Sequence, residues 1–166
     1  MRIEVLRKEY CAKCRIKAPR STGVGLLLRV ANGSTWRVLD YGCSNWRNSK
    51  FLEGVGSTSV RVDAIPDTRP DVVAYPTHMP FRDSSFDVVL FTHIFMFLEE
   101  KSEWPRAAGE LARISRRYLV VETYRVKHVS ALKFEPREIE ELFAELVIKK
   151  RHVRRDLQVY VYQRGE

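Results

Sequence analysis

Residues 36–46 of this 166-residue chain constrain its fold more than any other stretch, and they spell Trp-Arg-Val-Leu-Asp-Tyr-Gly-Cys-Ser-Asn-Trp. A short apolar run, Val38 and Leu39, ends at the acid Asp40 and then breaks at Gly42. This form is typical of a buried parallel strand that stops at a tight turn, where doubly wound sheets bind their ligands. Glycine in the turn lets the backbone approach a ligand closely. The stretch therefore predicts a strand followed by a ligand-binding loop.

Segments with strand and helix patterns alternate along the rest of the chain. The predicted strands are residues 36–41, 58–64, 71–75, 86–93, 117–123, 146–153 and 156–163, and the predicted helices start at Ser21 or Thr22 and span 47–54, 100–115 and 136–145. This alternation indicates a doubly wound, mostly parallel sheet. The last two strands are joined by a short turn, so they form an antiparallel hairpin. We therefore predict an α/β fold with a seven-stranded Rossmann-like sheet that ends in an antiparallel C-terminal hairpin.

The net charge of +8 is concentrated at the two ends of the chain. Residues 1–20 carry seven basic side chains against two acidic ones, and residues 149–155 carry five Lys or Arg and no acid. If the two clusters share a face, they favour nucleic acid or another polyanion as a partner. The alternative is a solvated, arginine-rich surface. We predict that residues 1–20 form a basic extension and that residues 21–166 form one domain.

The hydropathy pattern predicts no membrane partner. No apolar run is long enough to span a bilayer. The N-terminus is charged throughout and lacks the apolar core of a secretory signal. We therefore expect a cytoplasmic protein.

Three cysteines set the metal and redox expectations. Cys11 and Cys14 form a C-x-x-C pair, and only Cys43 remains elsewhere. A closed zinc site needs four ligands, so no metal site is predicted within one chain. The pair is interpreted as two free thiols, with a local disulfide or a half-site shared between two chains as alternatives. Cys43 is interpreted as a small buried residue of the ligand loop.

Asp63 is placed to bind a ribose. It ends the second predicted strand, 21 residues after Gly42. An acid at a strand end about 20 residues beyond a glycine turn accepts hydrogen bonds from ribose hydroxyls in dinucleotide-binding folds. Taken alone, Asp63 would be interpreted as a surface acid that terminates a strand. Together with Asp40 and Gly42, it indicates a nucleoside-binding site.

A further motif, residues 79–89, reads Met-Pro-Phe-Arg-Asp-Ser-Ser-Phe-Asp-Val-Val and forms a loop that leads into a buried strand. Together with residues 38–43, 60–63 and 110–114, it resembles the ordered motifs of the class I S-adenosylmethionine-dependent methyltransferases, in their small type 11-like family. The resemblance covers residues 36–123. It implies S-adenosylmethionine as the cofactor and methyl transfer by direct displacement to an acceptor that the sequence does not identify.

The resemblance also implies roles at the methionine end of the cofactor. Gly42 would let the backbone approach the methionine portion, Asp40 would orient the amino group, and Thr92 would lie near the sulfonium. Ser44 and Trp46 stand where the family often has glycine. Ser44 is small enough to remain in the cofactor loop, and Trp46 either fills space or shapes the acceptor side.

At the adenosine end, the resemblance gives Asp63 the ribose hydroxyls and places Ala64 and Ile65 beside the adenine. Tyr75 stands where the family often directs an acid at the adenine amine. Only about six residues separate the second and third predicted strands, where the family usually has a helix. We therefore predict a sheet shortened on that flank.

Methyl transfer requires alignment above all, and it needs a base only when the acceptor carries a proton. His93, at the end of the fourth predicted strand, is the best-placed candidate for a base, although a pocket-lining or core histidine is the favoured interpretation. The aromatic run Phe91, Phe95, Met96 and Phe97 forms either core or the wall of an acceptor pocket.

Three functions are consistent with this sequence. The first is an active methyltransferase. The second is a non-catalytic module that keeps the fold and binds nucleic acid or a partner protein through its basic termini. The third is a nucleoside-binding enzyme of the same architecture with different chemistry.

Overall fold

The structure is a computed structural model, and it describes residues 18–31, 35–98, 100–124 and 135–165. The described strands are β1 (Arg37–Tyr41), β2 (Thr58–Asp63), β3 (Val72–Val73), β4 (Phe86–Thr92), β5 (Ser115–Tyr124), β6 (Val147–Val153) and β7 (Leu157–Gln163). The described α-helices are α1 (Thr22–Val30), α2 (Arg47–Gly54), α3 (Glu103–Ile114) and α4 (Pro136–Leu142), and single 3₁₀ turns lie at Pro66–Thr68 and Phe95–Phe97. Cys11, Cys14, His128 and most of the basic extension lie outside the described residues.

One seven-stranded sheet organises the chain, in the order β3-β2-β1-β4-β5-β7-β6. The first five strands are parallel, and β7 lies antiparallel between β5 and β6. The predicted doubly wound sheet with an antiparallel hairpin is confirmed. The strand order reverses between β1 and β4, so a crevice opens at the carboxyl ends of these two strands, where such sheets bind ligands.

Side chains of the central strand β4 alternate between two hydrophobic clusters, because successive residues of a strand point to opposite faces. Val88 and Leu90 pack with α1 and α2 residues on one face. Val89 and Phe91 pack with α3 and α4 residues on the other. Burial of each such side chain contributes about 1.5–3 kcal/mol. Sheet burial on both faces thus fixes the strand ends that carry the site.

The helix start at Ser21 is confirmed. Its hydroxyl accepts the backbone N–H of Val24 at 3.3 Å, as an N-cap does. Helix α2 has its predicted bounds, whereas α3 and α4 are shorter than predicted. Helix α4 ends at Leu142 because Phe143 and Ala144 donate to carbonyls three residues back and so tighten the last turn.

Two strands also differ from their predicted lengths. The third is only two residues long, since Tyr75 turns back to pair with His78 instead of continuing beside β2. Strand β5 begins at Ser115, directly after α3, and its register against β4 shifts between Phe86 and Val88. This bulge takes the place of a connecting loop.

The predicted shortening between β2 and β3 is confirmed, because only a 3₁₀ turn, Pro66–Thr68, lies there. Trp46 covers this flank of the sheet. Its indole N–H donates to the carbonyl of Thr68 at 3.0 Å, and the Arg61 guanidinium lies 4.7 Å from its ring centroid. Of the two roles considered for Trp46, the structure supports filling space.

None of the described helices combines the length and apolar character that crossing a membrane requires.

Candidate active site

A cavity of about 700 Å³, part of it open to solvent, lies at the carboxyl ends of β1 and β4. Its walls come from the loop after β1, the start of α2, the end of β2 and the segment after β4. The lining residues are Tyr41, Gly42, Cys43, Ser44, Asn45, Arg47, Asn48, Asp63, Ala64, Ile65, Thr68, Thr92, His93, Ile94 and Phe97. Six of the eight residues proposed from the sequence for the cofactor are therefore brought together here, along with His93.

Asp63 is the fixed carboxylate of this cavity, and only 8% of its surface is exposed. Its Oδ1 accepts the backbone N–H of Ile65 at 3.0 Å, and its Oδ2 accepts that of Ser44 at 3.3 Å. Burial raises the pKa of Asp63, while these two backbone hydrogen bonds act in the opposite direction. The carboxylate thus joins the β1 loop to the end of β2 and keeps acceptor capacity toward the cavity.

Asp40 lies beneath the loop and does not line the cavity. Its Oδ2 accepts both the backbone N–H and the hydroxyl of Ser49 in α2, at 3.1 and 2.7 Å. Burial raises the pKa of Asp40 to about 6, against the lowering effect of the Ser49 hydrogen bonds. This carboxyl ties the end of β1 to α2, so its geometry supports the loop.

Gly42 has a φ of 74°, a conformation that favours glycine. A Cβ atom at this position would lie 2.2 Å from Cδ1 of Ile94, so Ile94 packs directly over the glycine backbone. Ser44 and Trp46 also have positive φ values, 41° and 62°. The loop therefore keeps the left-handed turns of a glycine-rich loop with fewer glycines.

Tyr75 lies outside the cavity lining and is 45% exposed. His78, its bridge partner, also lies outside, and its Nδ1 is 3.0 Å from the Thr77 hydroxyl. On this flank the cavity is instead bordered by Tyr41, whose hydroxyl donates to the carbonyl of Ala74 at 2.8 Å. The role proposed for Tyr75 at the adenine stays a prediction, and this conformation does not bring it to the cavity.

His93 lines the cavity at the end of β4, with a φ of 62°. Its Nε2 lies 3.0 Å from Oε1 of Glu122, and its ring stacks on Tyr124 with centroids 4.5 Å apart. Glu122 is 3% exposed, and its Oε2 accepts the backbone N–H of Gly23 at 2.6 Å. Burial acts to raise the pKa of Glu122, but the bonds from His93 and Gly23 outweigh it, and the pKa lies below its usual value.

The sequence reasoning missed Glu122, although a signal was present. An acid within the apolar strand run Val120, Val121 must find a partner when it is buried. It also missed Arg47 and Asn48, which line the cavity from the first turn of α2. First-turn positions after a ligand loop carry backbone N–H groups without helical partners, which was a usable signal.

The aromatic run after β4 is mainly core. Phe91, Phe95 and Met96 are at most 2% exposed and belong to one hydrophobic cluster. Phe97 is also buried, but it contributes to the cavity wall. The core interpretation therefore applies to Phe91, Phe95 and Met96, and the pocket-wall interpretation applies to Phe97.

Cys43 is a small, buried residue of the ligand loop, as expected, and burial raises the pKa of its thiol well above the usual range. Within the described ranges no cluster of three or more His, Cys, Asp or Glu side chains is arranged to hold a metal ion.

A cavity at the switch point with an acid at the end of β2 defines a nucleoside-binding, doubly wound domain. Comparison with protein families makes the class specific, since residues 39–118 match the model described as "Methyltransferase domain". This match spans just under half of the chain, and together with the shared fold it supports a class I S-adenosylmethionine-dependent methyltransferase.

Solved structures share this fold at low sequence identity. The 1,6-didemethyltoxoflavin-N1-methyltransferase of Burkholderia thailandensis, solved with 1,6-didemethyltoxoflavin and S-adenosylhomocysteine, is 13% identical with a TM-score of 0.77, and the match covers 98% of this chain and 87% of that one. The N-methyltransferase NodS of Bradyrhizobium japonicum, in complex with S-adenosylhomocysteine, is 13% identical with a TM-score of 0.74 over 98% of both chains. A methyltransferase of Methanosarcina mazei is 16% identical with a TM-score of 0.73, over 84% of this chain and 96% of that one. No curated protein is significantly similar in sequence.

Proposed function

We propose that this protein transfers the methyl group of S-adenosylmethionine to an acceptor by direct displacement. One observation carries the proposal: Asp63, fixed by the backbone N–H groups of Ser44 and Ile65, faces a cavity at the switch point of the sheet. The solved relatives with S-adenosylhomocysteine support the choice of ligand.

The residues present fit this cofactor. Asp63 would accept hydrogen bonds from the two ribose hydroxyls, and the buried side chains of Ala64 and Ile65 supply apolar surface for the adenine. Gly42 offers a backbone without a Cβ where the methionine portion would lie. Asp40 would act from beneath, by holding α2 against the loop.

One side chain has to change position for this fit. The side chain of Ile94 lies where a Cβ of residue 42 would be, so it covers the backbone of Gly42. We expect Ile94 to adopt another rotamer when the methionine portion binds. The bound cofactor would supply an electrophilic methyl group on a positively charged sulfur, and Thr92 and His93 border the space on the β4 side.

Isothermal titration calorimetry with S-adenosylmethionine and S-adenosylhomocysteine tests the proposal. We expect both to bind the wild-type protein. Hydrogen bonds to a charged group contribute about 1.5–3 kcal/mol each, so we expect Asp63→Ala to bind about 10- to 100-fold more weakly.

Asp83→Ala is the matched control. Its carboxylate is 76% exposed and lies in the loop before β4. This loop is at the N-terminal end of β4, whereas the cavity lies at its C-terminal end. We expect wild-type affinity for this variant. If folded wild-type protein gives no heat with either ligand, the proposal fails, and the non-catalytic and other-nucleoside hypotheses take its place.

A second proposal concerns nucleic acid as the partner. Arg20 and Arg29, on the N-terminal side, line a groove together with His152 and Arg154 at the end of β6. Among the residues that the structure describes, the lining of this groove contains no acidic side chain. The charge pattern favours a polyanion when the two ends share a face, and this groove holds one basic residue from each cluster, Arg20 and Arg154.

The groove and the cofactor cavity lie at the same end of the sheet. Leu157 pairs with Tyr124, the last residue of β5. The β6–β7 turn therefore lies at the same end of the sheet as the C-terminal ends of β1, β4 and β5. A nucleic acid held there would lie near the cavity opening. We therefore propose that the basic groove binds the phosphate backbone of a nucleic acid.

Fluorescence anisotropy with labelled single-stranded RNA and duplex DNA over a salt series tests this second proposal. Each lost phosphate contact is expected to reduce the slope of log affinity against log salt by about 0.7 for single strands and 0.9 for duplex DNA. We expect that reduction in the double variant Arg20→Gln, Arg154→Gln. The control is Arg82→Gln, which changes an exposed arginine in the loop before β4, at the opposite end of the strands from the groove. An affinity that does not change with salt would contradict the proposal.

A further inference from the structure

The partly buried His93 and the buried Glu122 form a pair at the wall of the cofactor cavity. His93 Nε2 lies 3.0 Å from Glu122 Oε1. The pairing follows from sheet register, because Thr92 lies beside Glu122 and the His93 backbone N–H donates to the Glu122 carbonyl at 2.6 Å. One side-chain contact and one backbone hydrogen bond therefore fix the imidazole relative to the carboxylate.

The carboxylate is held as an anion by the start of a helix. Glu122 Oε2 accepts the N–H of Gly23, in the first turn of α1, at 2.6 Å. Free N–H groups and the helix dipole favour negative charge at this point. An ionised Glu122 accepts only, so the His93 nitrogen that faces it must carry the proton.

This arrangement determines the tautomer of His93. With the proton on Nε2, Nδ1 has a free lone pair. Nδ1 is buried, and it has no hydrogen-bond partner among the described residues. A buried acceptor without a partner is costly unless something in its function uses it. Because His93 borders the cavity, we expect a neighbouring side chain to move aside so that a donor bound there reaches Nδ1.

Resting on the function proposed above, we propose that His93 Nδ1 is the general base for an acceptor that carries an O–H or N–H, and that Glu122 is its positioning residue. Nδ1 takes the acceptor proton as the acceptor oxygen or nitrogen forms its bond to the methyl carbon. The methyl–sulfur bond breaks, and its electron pair stays on sulfur as a neutral thioether. His93 becomes an imidazolium beside the Glu122 carboxylate and later releases the proton to solvent.

Charged and aromatic residues surround the pair. Glu122 faces the ring from β5, Arg47 approaches the pair from the start of α2, and Tyr124 stacks on the imidazole. The negative carboxylate stabilises the imidazolium that forms, as a carboxylate–histidine pair does in general base catalysis. The acceptor class follows from this chemistry: a carboxylate or thioether acceptor needs no base, whereas a hydroxyl or N–H acceptor does.

Long-range ¹H–¹⁵N NMR of the imidazoles in the full chain tests the pair without an acceptor. The chain has four histidines, and loss of one signal set in His93→Gln assigns His93. We expect the neutral Nε2–H tautomer in the wild-type protein, with Nδ1 unprotonated. A neutral Nδ1–H tautomer, or an imidazolium at pH 8, would overturn the proposal.

Glu122→Gln provides the second measurement. Its amide oxygen can still accept the Gly23 N–H, while its NH₂ group then faces His93 Nε2. The imidazole must move its proton to Nδ1, so we expect the tautomer to invert. Glu140→Gln, which loses a carboxylate in α4 that pairs with Arg151, should leave His93 unchanged. An unchanged tautomer in folded Glu122→Gln would also count against the proposal, and if this variant does not fold, the wild-type spectrum decides alone.

Titration of S-adenosylhomocysteine on the same samples separates the two proposals. If the proposed function is wrong, the ligand does not bind, whatever the tautomer. If only the base assignment is wrong, the ligand binds while Nδ1 carries the proton. With both correct, binding is retained in Glu122→Gln and the Nδ1 signal of wild-type His93 shifts when the ligand is added.

Discussion

The indole N–H of Trp46 donates to the backbone carbonyl of Thr68 at 3.0 Å, and this bond joins the start of α2 to the turn after β2. Thr68 lines the cavity, while Trp46 does not. The hydroxyl of Thr68 in turn donates to the carbonyl of Ile65 at 2.9 Å. A large side chain outside the site therefore orders the wall beside Asp63, on the flank where the sheet has no full helix between β2 and β3.

We predict that Trp46→Phe lowers the free energy of unfolding by about 1–2 kcal/mol, because one hydrogen bond and part of the ring contact with Arg61 are lost. Affinity for S-adenosylhomocysteine should fall a few-fold, since the wall beside Asp63 loosens. Urea denaturation and calorimetry measure the two effects.

Trp36→Phe is the control for this prediction. Trp36 is buried in the cluster under α1 and α2, and its Nε1 has no hydrogen-bond partner within the described part of the chain. This variant should lose stability through reduced packing alone and keep wild-type ligand affinity. An equal loss of affinity in both variants would refute a specific role for the Trp46 bond.

Gly42→Ala should destabilise the protein and prevent cofactor binding. A left-handed conformation costs a residue with a Cβ about 1–2 kcal/mol, and the new Cβ would overlap Ile94 Cδ1 at 2.2 Å. A double-mutant cycle with Ile94→Ala separates the two causes. The Ile94 substitution should recover the part of the stability loss that comes from overlap, and it should not recover the part that comes from the backbone.

Ile94→Ala alone should bind S-adenosylhomocysteine at least as tightly as the wild-type protein, because it uncovers the Gly42 backbone. Calorimetry on this variant measures the effect directly. Weaker binding would show that Ile94 supports the ligand instead of yielding to it.

Gly23→Ala should lower the free energy of unfolding by about 1–3 kcal/mol, as overpacked cores do. The added Cβ would lie 2.5 Å from Val120 Cγ1 and 3.1 Å from Glu122 Oε2, so α1 must move off the sheet. Gly25→Ala, in the same helix, meets only Arg20 Nε at 3.6 Å. It should instead stabilise the protein by about 0.5–1 kcal/mol, because alanine favours the helix. Thermal or urea unfolding that fails to separate these two variants would argue against the close docking of α1.

Asp40 should make stability fall with rising pH. Burial raises its pKa from the usual 3.8 to about 6 in the folded protein. The folded state therefore holds this proton more tightly than the unfolded chain does. The stabilisation that this bound proton gives the folded state is fully present below about pH 4 and is lost as the pH rises to about 6. The loss of folding stability amounts to about 3 kcal/mol.

Asp40→Asn isolates this effect from the other carboxylates, because the amide oxygen can still accept from Ser49. Measured by urea unfolding between pH 4 and pH 7, the wild-type protein should lose stability relative to Asp40→Asn. A constant difference between the two proteins over this range would contradict the raised pKa of Asp40.

Much of the fold followed from local patterns. Apolar runs of strand length and their breaks at Gly42, Gly54 and Gly56 marked the strands and turns, because these signals depend on neighbouring residues alone. The boundaries that differed, at β3, α4 and β5, depend on pairing and on tightened helix ends. Asp63 was found because a strand end and a fixed distance from a glycine turn are both visible in the sequence.

The sequence by itself determined the order of the elements, the switch point after β1 and the acid of the cavity. The tertiary structure decided that Glu122 meets His93 and Gly23, that Trp46 reaches Thr68, and that Tyr75 stays outside. It also placed Arg20 and Arg154, one basic residue from each end of the chain, in one groove. The physical reason is that periodicity and turn chemistry act over a few residues, whereas these contacts depend on strand register and helix docking between segments up to about a hundred residues apart.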